Sequence, residues 1–145
     1  ILLPLLDGLR AVHQAGFLHR DIKPGNIFIR ENSSPVLIDF GAARQAISGA
    51  TRSLTAVLTP GYAPLEQYSS EARQGPWTDI YAMSGVVYRA ITNANPPDAV
   101  SRMRDDSVPL MLATVRGRYS EPFLRAVGWA LTMNEKERPQ DVDVW

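Results

Sequence analysis

The 145 residues suffice for one domain, and 15 Lys and Arg against 15 Asp and Glu leave no net charge, so neither nucleic acid nor an anionic membrane has an electrostatic claim on the chain as a partner. Cysteine is absent, which removes disulfides and thiolate metal sites and is compatible with a reducing, cytoplasmic setting. No apolar run reaches the roughly 18 residues of a membrane span, and Ile1-Leu2-Leu3 has neither the basic region nor the cleavage site of a signal peptide.

Leu2, Leu5, Leu6, Leu9 and Val12 recur at helical spacing, which predicts a helix over Pro4 to Gln14 stopped by Gly16. Two short β-prone runs follow, Ile27 to Ile29 and Val36 to Ile38. The polar turn Glu31-Asn32-Ser33-Ser34-Pro35 between them makes a hairpin the expectation. From Gly41 to about Gly61 no period is visible, and a stretch of that length in a compact domain is usually functional. A second helix is predicted from Thr78, with Ile80, Met83, Val86, Val87 and Ile91 on one face and Asn95-Pro96-Pro97 as its break. A short helix over Asp98 to Arg104, a loop around Val108-Pro109, and a third clear helix over Glu121 to Met133 come next. A last helix is expected from Pro139, a favoured first-turn position. The pattern sums to a mostly helical domain with one small hairpin. Both ends, at Ile1 and at Val142 to Trp145, fall inside patterned segments, so the expectation is a domain cut through structure at each end.

Two segments carry chemistry: His19-Arg20-Asp21-Ile22-Lys23-Pro24-Gly25-Asn26, and Asp39-Phe40-Gly41 directly after the second strand. Phosphoryl transfer is mostly positioning and charge neutralisation. It uses a magnesium ion held by hard oxygen ligands, which Asn26 and Asp39 can supply. It uses a carboxylate to orient a hydroxyl and take its proton, which Asp21 can supply, and a cation near the transferring phosphate, which Lys23 can supply. Alone, Asp39-Phe40-Gly41 is a common turn, and His19-Arg20-Asp21 is an equally weak signal. All eight specified residues in this order, separated by a hairpin, would arise by chance in fewer than about one chain in a million at average composition.

Together the two segments resemble the catalytic and metal-binding loops of the protein kinases, with Ile22 in place of the usual leucine. The resemblance extends over nearly the whole chain. Thr59-Pro60-Gly61-Tyr62 followed by Glu66 is similar to the end of the kinase activation segment, although Ala63-Pro64 stands one place early. The wording around it resembles bacterial serine/threonine kinases. The resemblance implies a kinase C-terminal lobe, mostly α with a small hairpin, which becomes α+β when its N-terminal lobe is present. It implies transfer of the ATP γ-phosphate to protein Ser or Thr hydroxyls, with ATP and Mg2+ (or Mn2+) as cofactors. Asp21, Lys23 and Thr59 would be catalytic, Asn26 and Asp39 would hold metal, and Lys23, Asn26, Phe28 and Asp39 would face the nucleotide, Phe28 as the floor of the adenine pocket.

The same resemblance implies that Asp79 holds the backbone amides of the catalytic loop and that Glu66 pairs with Arg138. His19 and Phe40 would belong to a hydrophobic spine, and Arg20 would meet a phosphate on Ser48, Thr51, Ser53 or Thr55. His13 is given no chemical role. No glycine-rich phosphate loop, strand lysine or paired glutamate is present. Those elements belong to an N-terminal lobe expected before Ile1, without which the chain is expected to be inactive. A pseudokinase or scaffold, which binds without catalysis, and a small-molecule kinase of related fold remain as alternatives.

Overall fold

The computed structural model describes residues 1–40 and 58–145 together with the backbone of 44–45. The candidate phosphorylation positions Ser48, Thr51, Ser53 and Thr55, and Gly41 of the second motif, lie outside the described residues. Helix α1 spans Leu2–Gln14. Its apolar stripe buries Leu5 and Leu9, and it ends at Gly16, whose φ of +79° costs glycine little. Strand β1 (Phe17–Leu18) pairs antiparallel with β4 (Arg44–Gln45), Phe17 opposite Gln45. The predicted hairpin is present as β2 (Ile27–Ile29) against β3 (Pro35–Leu37), with Phe28 opposite Val36. Its turn is closed by the Ser33 N–H on the Arg30 carbonyl at 2.8 Å.

Helix α2 (Pro76–Thr92) is the central pillar. One apolar face was the expectation, but every residue from Thr78 to Gly85 is buried. An element covered all round must satisfy its polar groups internally. Ser84 donates to the Val127 carbonyl at 2.9 Å, and Thr78 donates to Glu66 Oε1 at 3.0 Å. The helix starts after Gly75, where any Cβ would stand 2.3 Å from the Trp77 ring. It ends earlier than the Asn95-Pro96-Pro97 break, at Asn93, which takes the left-handed conformation (φ 58°) and donates its N–H to the Arg89 carbonyl.

Helix α3 (Ala99–Arg102) is capped by Asp98, which accepts the Ser101 N–H at 2.9 Å. The expected loop at Val108-Pro109 is instead helix α4 (Val108–Ala113). Pro109 lies in its first turn, where a missing N–H removes no helical bond. Helix α5 (Glu121–Ala130) buries Leu124, Val127 and Ala130, and the adjoining Leu131 is also covered. The helix expected from Pro139 is not formed. That segment makes a turn, in which the Trp145 N–H donates to the Asp141 carbonyl at 3.3 Å and the Val144 N–H to Asp141 Oδ1 at 2.7 Å.

Two apolar clusters flank α2. One joins Tyr81, Tyr88 and Ile91 to Leu112 of α4 and Leu124 and Val127 of α5. The other joins Ile80 and Met83 to Leu5 and Leu9 of α1 and to Ile22. The loop after β1 is thereby seated on the α1 side of the pillar through Ile22, the residue next to Asp21.

Candidate active site

The site is built from the buried carboxylate of Asp79, in the first turn of α2. Its Oδ1 accepts the Arg20 N–H at 2.8 Å, and its Oδ2 accepts the His19 N–H, also at 2.8 Å. These bonds fix the start of the loop that follows β1. A third partner was not foreseen: His13 Nε2, on α1, lies 2.8 Å from Asp79 Oδ2. A carboxylate only accepts, so His13 presents Nε2–H and joins α1, the loop and α2 at one point. Nothing local marks His13 in the sequence, because its partner is 66 residues away.

His19 is fully buried. Its Nε2 faces the Ile38 carbonyl at 3.1 Å and therefore carries the proton, which leaves Nδ1 to accept the Asp21 N–H at 3.3 Å. Its ring centroid stands 4.6 Å from that of Phe40, so the two rings are in contact.

Asp21 is the hub of the loop. Its Oδ2 accepts from Lys23 Nζ at 2.7 Å and from Asn26 Nδ2 at 2.9 Å, and its Oδ1 accepts from the Thr59 hydroxyl at 3.0 Å. Lys23 Nζ also reaches Thr59 Oγ1 at 3.3 Å. Four sequence-predicted residues thus converge, Thr59 from 38 positions away. The Asp21 and Lys23 side chains keep 21% and 31% of their surface, so the pair is open to a ligand.

Asn26 also donates Nδ2 to the Asp21 carbonyl at 2.7 Å. A carbonyl only accepts, which orients the amide and turns Oδ1 the other way. The Asn26 carbonyl accepts the Ile38 N–H at 2.9 Å, and the chain continues directly into Asp39, which takes a left-handed φ of 61°. The hairpin therefore returns Asp39 close to the loop. Phe28 stands on β2 and is 57% exposed.

The turn that follows Thr59 is held separately. Gly61, with φ +85°, passes so close to Pro96 that a Cβ would lie 2.5 Å from its carbonyl oxygen. Glu66 and Arg138 form a two-pronged buried pair at 2.7 and 3.2 Å. Arg138 also donates to the Thr132 carbonyl at 2.6 Å and the Met133 carbonyl at 2.9 Å, and lies 4.7 Å above the Tyr81 ring. Next to Glu66, Gln67 Nε2 donates to the Arg20 carbonyl at 2.8 Å, a second contact that local patterning does not reveal.

Against known proteins, residues 1–141 match the family described as protein kinase domain. The chain belongs to the protein kinase family. It is 33% identical over 149 aligned positions to the serine/threonine-protein kinase PknL of Mycobacterium tuberculosis, covering 97% of this chain and 37% of that protein. It is 42% identical over 98 positions to the serine/threonine-protein kinase PknA of a Nostoc species, covering 59% of this chain and 17% of that protein. Among solved structures, one described as PpkA-294 apo form superposes with a TM-score of 0.82 at 44% identity, over 99% of this chain and 50% of that one. The chain thus spans about a third of PknL and half of that solved chain. Among the described residues no helix is long and apolar enough to cross a membrane.

Proposed function

We propose that this chain forms the C-terminal lobe of a serine/threonine protein kinase, and that Asp21, Lys23, Asn26, Asp39 and Thr59 carry transfer of the ATP γ-phosphate to a protein hydroxyl. The observation that supports this most is the Asp21 carboxylate, bonded at once to Lys23, Asn26 and Thr59. Asp21 orients the incoming Ser or Thr hydroxyl and accepts its proton. Lys23, 2.7 Å from Asp21, neutralises charge that builds on the transferred phosphoryl oxygens. Thr59, in contact with both, ties the substrate-side segment to the reacting centre.

The donor set suits a hard divalent cation. Asn26 spends its amide nitrogen on Asp21 and turns its oxygen away, and Asp39 supplies a carboxylate nearby. Asn26 and Asp39 would hold magnesium, which supplies charge neutralisation and alignment of the phosphates when bound. Phe28 offers an exposed apolar ring for the adenine face.

The test uses the complete kinase with ATP and a Ser/Thr-containing acceptor protein. Asp21→Asn is expected to retain ATP binding and to slow transfer by roughly 10²–10⁴ fold, the range for losing a general base. Unchanged turnover in that variant, with ATP still bound, would remove Asp21 from the chemistry.

A further inference from the structure

Arg20 holds a backbone conformation that side-chain-bearing residues seldom adopt, with φ 68°. Two peptide planes meet at its Cα, and each is gripped by a different element. The plane before it is fixed where the Arg20 N–H donates to Asp79 Oδ1 at 2.8 Å. The plane after it is fixed where the Arg20 carbonyl accepts from Gln67 Nε2 at 2.8 Å. The same plane is also held at its other edge, where the Asp21 N–H donates to His19 Nδ1, but at the longer distance of 3.3 Å. That second plane contains the Asp21 N–H, so its tilt sets the direction in which the Asp21 side chain leaves the backbone.

Gln67 is well mounted for this task. Its own N–H donates to the Pro64 carbonyl at 3.0 Å, and its neighbour Glu66 is anchored by Arg138. We propose that Gln67 is a positioning residue for Asp21: its amide donor holds the peptide between Arg20 and Asp21 in place and so couples the aim of Asp21 to the seating of the substrate-side turn. This rests on the reading of Asp21 as the proton-accepting carboxylate. When the Glu66 turn is seated, Gln67 reaches the Arg20 carbonyl and Asp21 points at Lys23 and Thr59. When the turn lifts, the carbonyl loses the Gln67 donor, and the plane after the left-handed Arg20 is left to the longer bond from the Asp21 N–H to His19 Nδ1.

The experiment compares Gln67→Met and Gln67→Lys with Asp21→Asn in the complete kinase, reading kcat, the KM for ATP and the melting temperature. Met matches the length of Gln without a donor, and Lys restores one. Gln67→Met is expected to lower kcat about tenfold, the equivalent of one lost hydrogen bond to a constrained carbonyl, with the KM for ATP unchanged. Gln67→Lys is expected to recover a large part of that loss. A residue that only fills space would give the opposite order, because Met packs better than Lys. Parental kcat in Gln67→Met, with Asp21→Asn slowed, overturns the role of Gln67 and leaves Asp21 standing. Equal losses in Met and Lys that follow a fall in melting temperature also overturn it. Parental turnover in Asp21→Asn removes the reading on which the inference stands.

Discussion

At Asp79 one side chain does the work of three contacts, and both oxygens are committed to donors. Oδ2 serves His13 and the His19 N–H, while Oδ1 serves the Arg20 N–H. Asp79→Asn is close to isosteric, yet either orientation of the amide turns an NH2 group toward a buried N–H. At least one donor is left unsatisfied, at a cost of about 1–3 kcal/mol. Urea unfolding of the 145-residue chain measures this, and a variant as stable as the parent would show that these bonds are exchangeable with water. A different loss is expected at Asp39. Asp39→Ala in the complete kinase removes a carboxylate proposed to hold metal, so metal-dependent ATP binding should weaken together with transfer. In Asp21→Asn only transfer should fall. Titration of Mg-ATP against both variants separates them, and equal ATP affinity in Asp39→Ala and the parent would contradict the metal role.

Elements whose cause is local were legible in the sequence. The α1 stripe, the polar turn of the hairpin and the apolar repeat of α5 each act within a dozen residues. So does the order of the loop from His19 to Asn26. What escaped depends on partners far along the chain: His13 and Gln67 reach residues 66 and 47 positions away. At two prolines the structure departs from the expectation for a common reason. The loop expected around Val108-Pro109 is the opening of α4, and the helix expected from Pro139 does not follow it. Position within the first turn decides the effect of a proline, and neighbours alone do not reveal that position.

The segment leading into α4 yields a test with a pH sign. Arg102, almost fully buried, grips Asp106 with two bonds at 2.9 and 2.8 Å and reaches the Tyr81 hydroxyl at 2.9 Å. Partial burial pushes the Asp106 carboxyl up, but the Arg102 bonds and the Val108 N–H outweigh it and hold the group below its ordinary range. A carboxyl depressed in the folded state contributes stability above its unfolded value of about 4, and that contribution fades as pH falls toward the folded value. Asp106 is partly exposed and screened by solvent, so Asp106→Asn should cost on the order of 1 kcal/mol at pH 7. The cost should shrink toward pH 3. A difference from the parent that does not change between those pH values would rule out the ion pair as its source.

At the scale of the whole molecule, a buried ion pair between Glu66 and Arg138 ties distant parts of the chain together. Glu66 belongs to the turn after Thr59, and Arg138 follows α5, so the pair closes a loop of 72 residues. Removing one partner strands the other charge in a place without water. Arg138→Met should therefore cost about 3–5 kcal/mol, a large part of the roughly 5–15 kcal/mol that holds a typical domain together. Replacing both partners, as Glu66→Leu with Arg138→Met, removes the stranded charge and should recover part of the loss. Full recovery is not expected. Arg138 also satisfies the carbonyls of Thr132 and Met133, and Glu66 accepts the Thr78 hydroxyl. The Thr78 hydroxyl is buried and the two carbonyls are half-buried, so their lost partners keep the double variant about 1–3 kcal/mol below the parent. The order expected in urea unfolding is parent, then double variant, then Arg138→Met. The measurement needs low protein concentration, because Phe28, Ile29, Ile38 and Phe40 expose apolar surface on and beside the hairpin. If the double variant proved less stable than Arg138→Met, the pair would not be a clamp of two interdependent charges, and the carbonyl contacts of Arg138 would carry its effect instead.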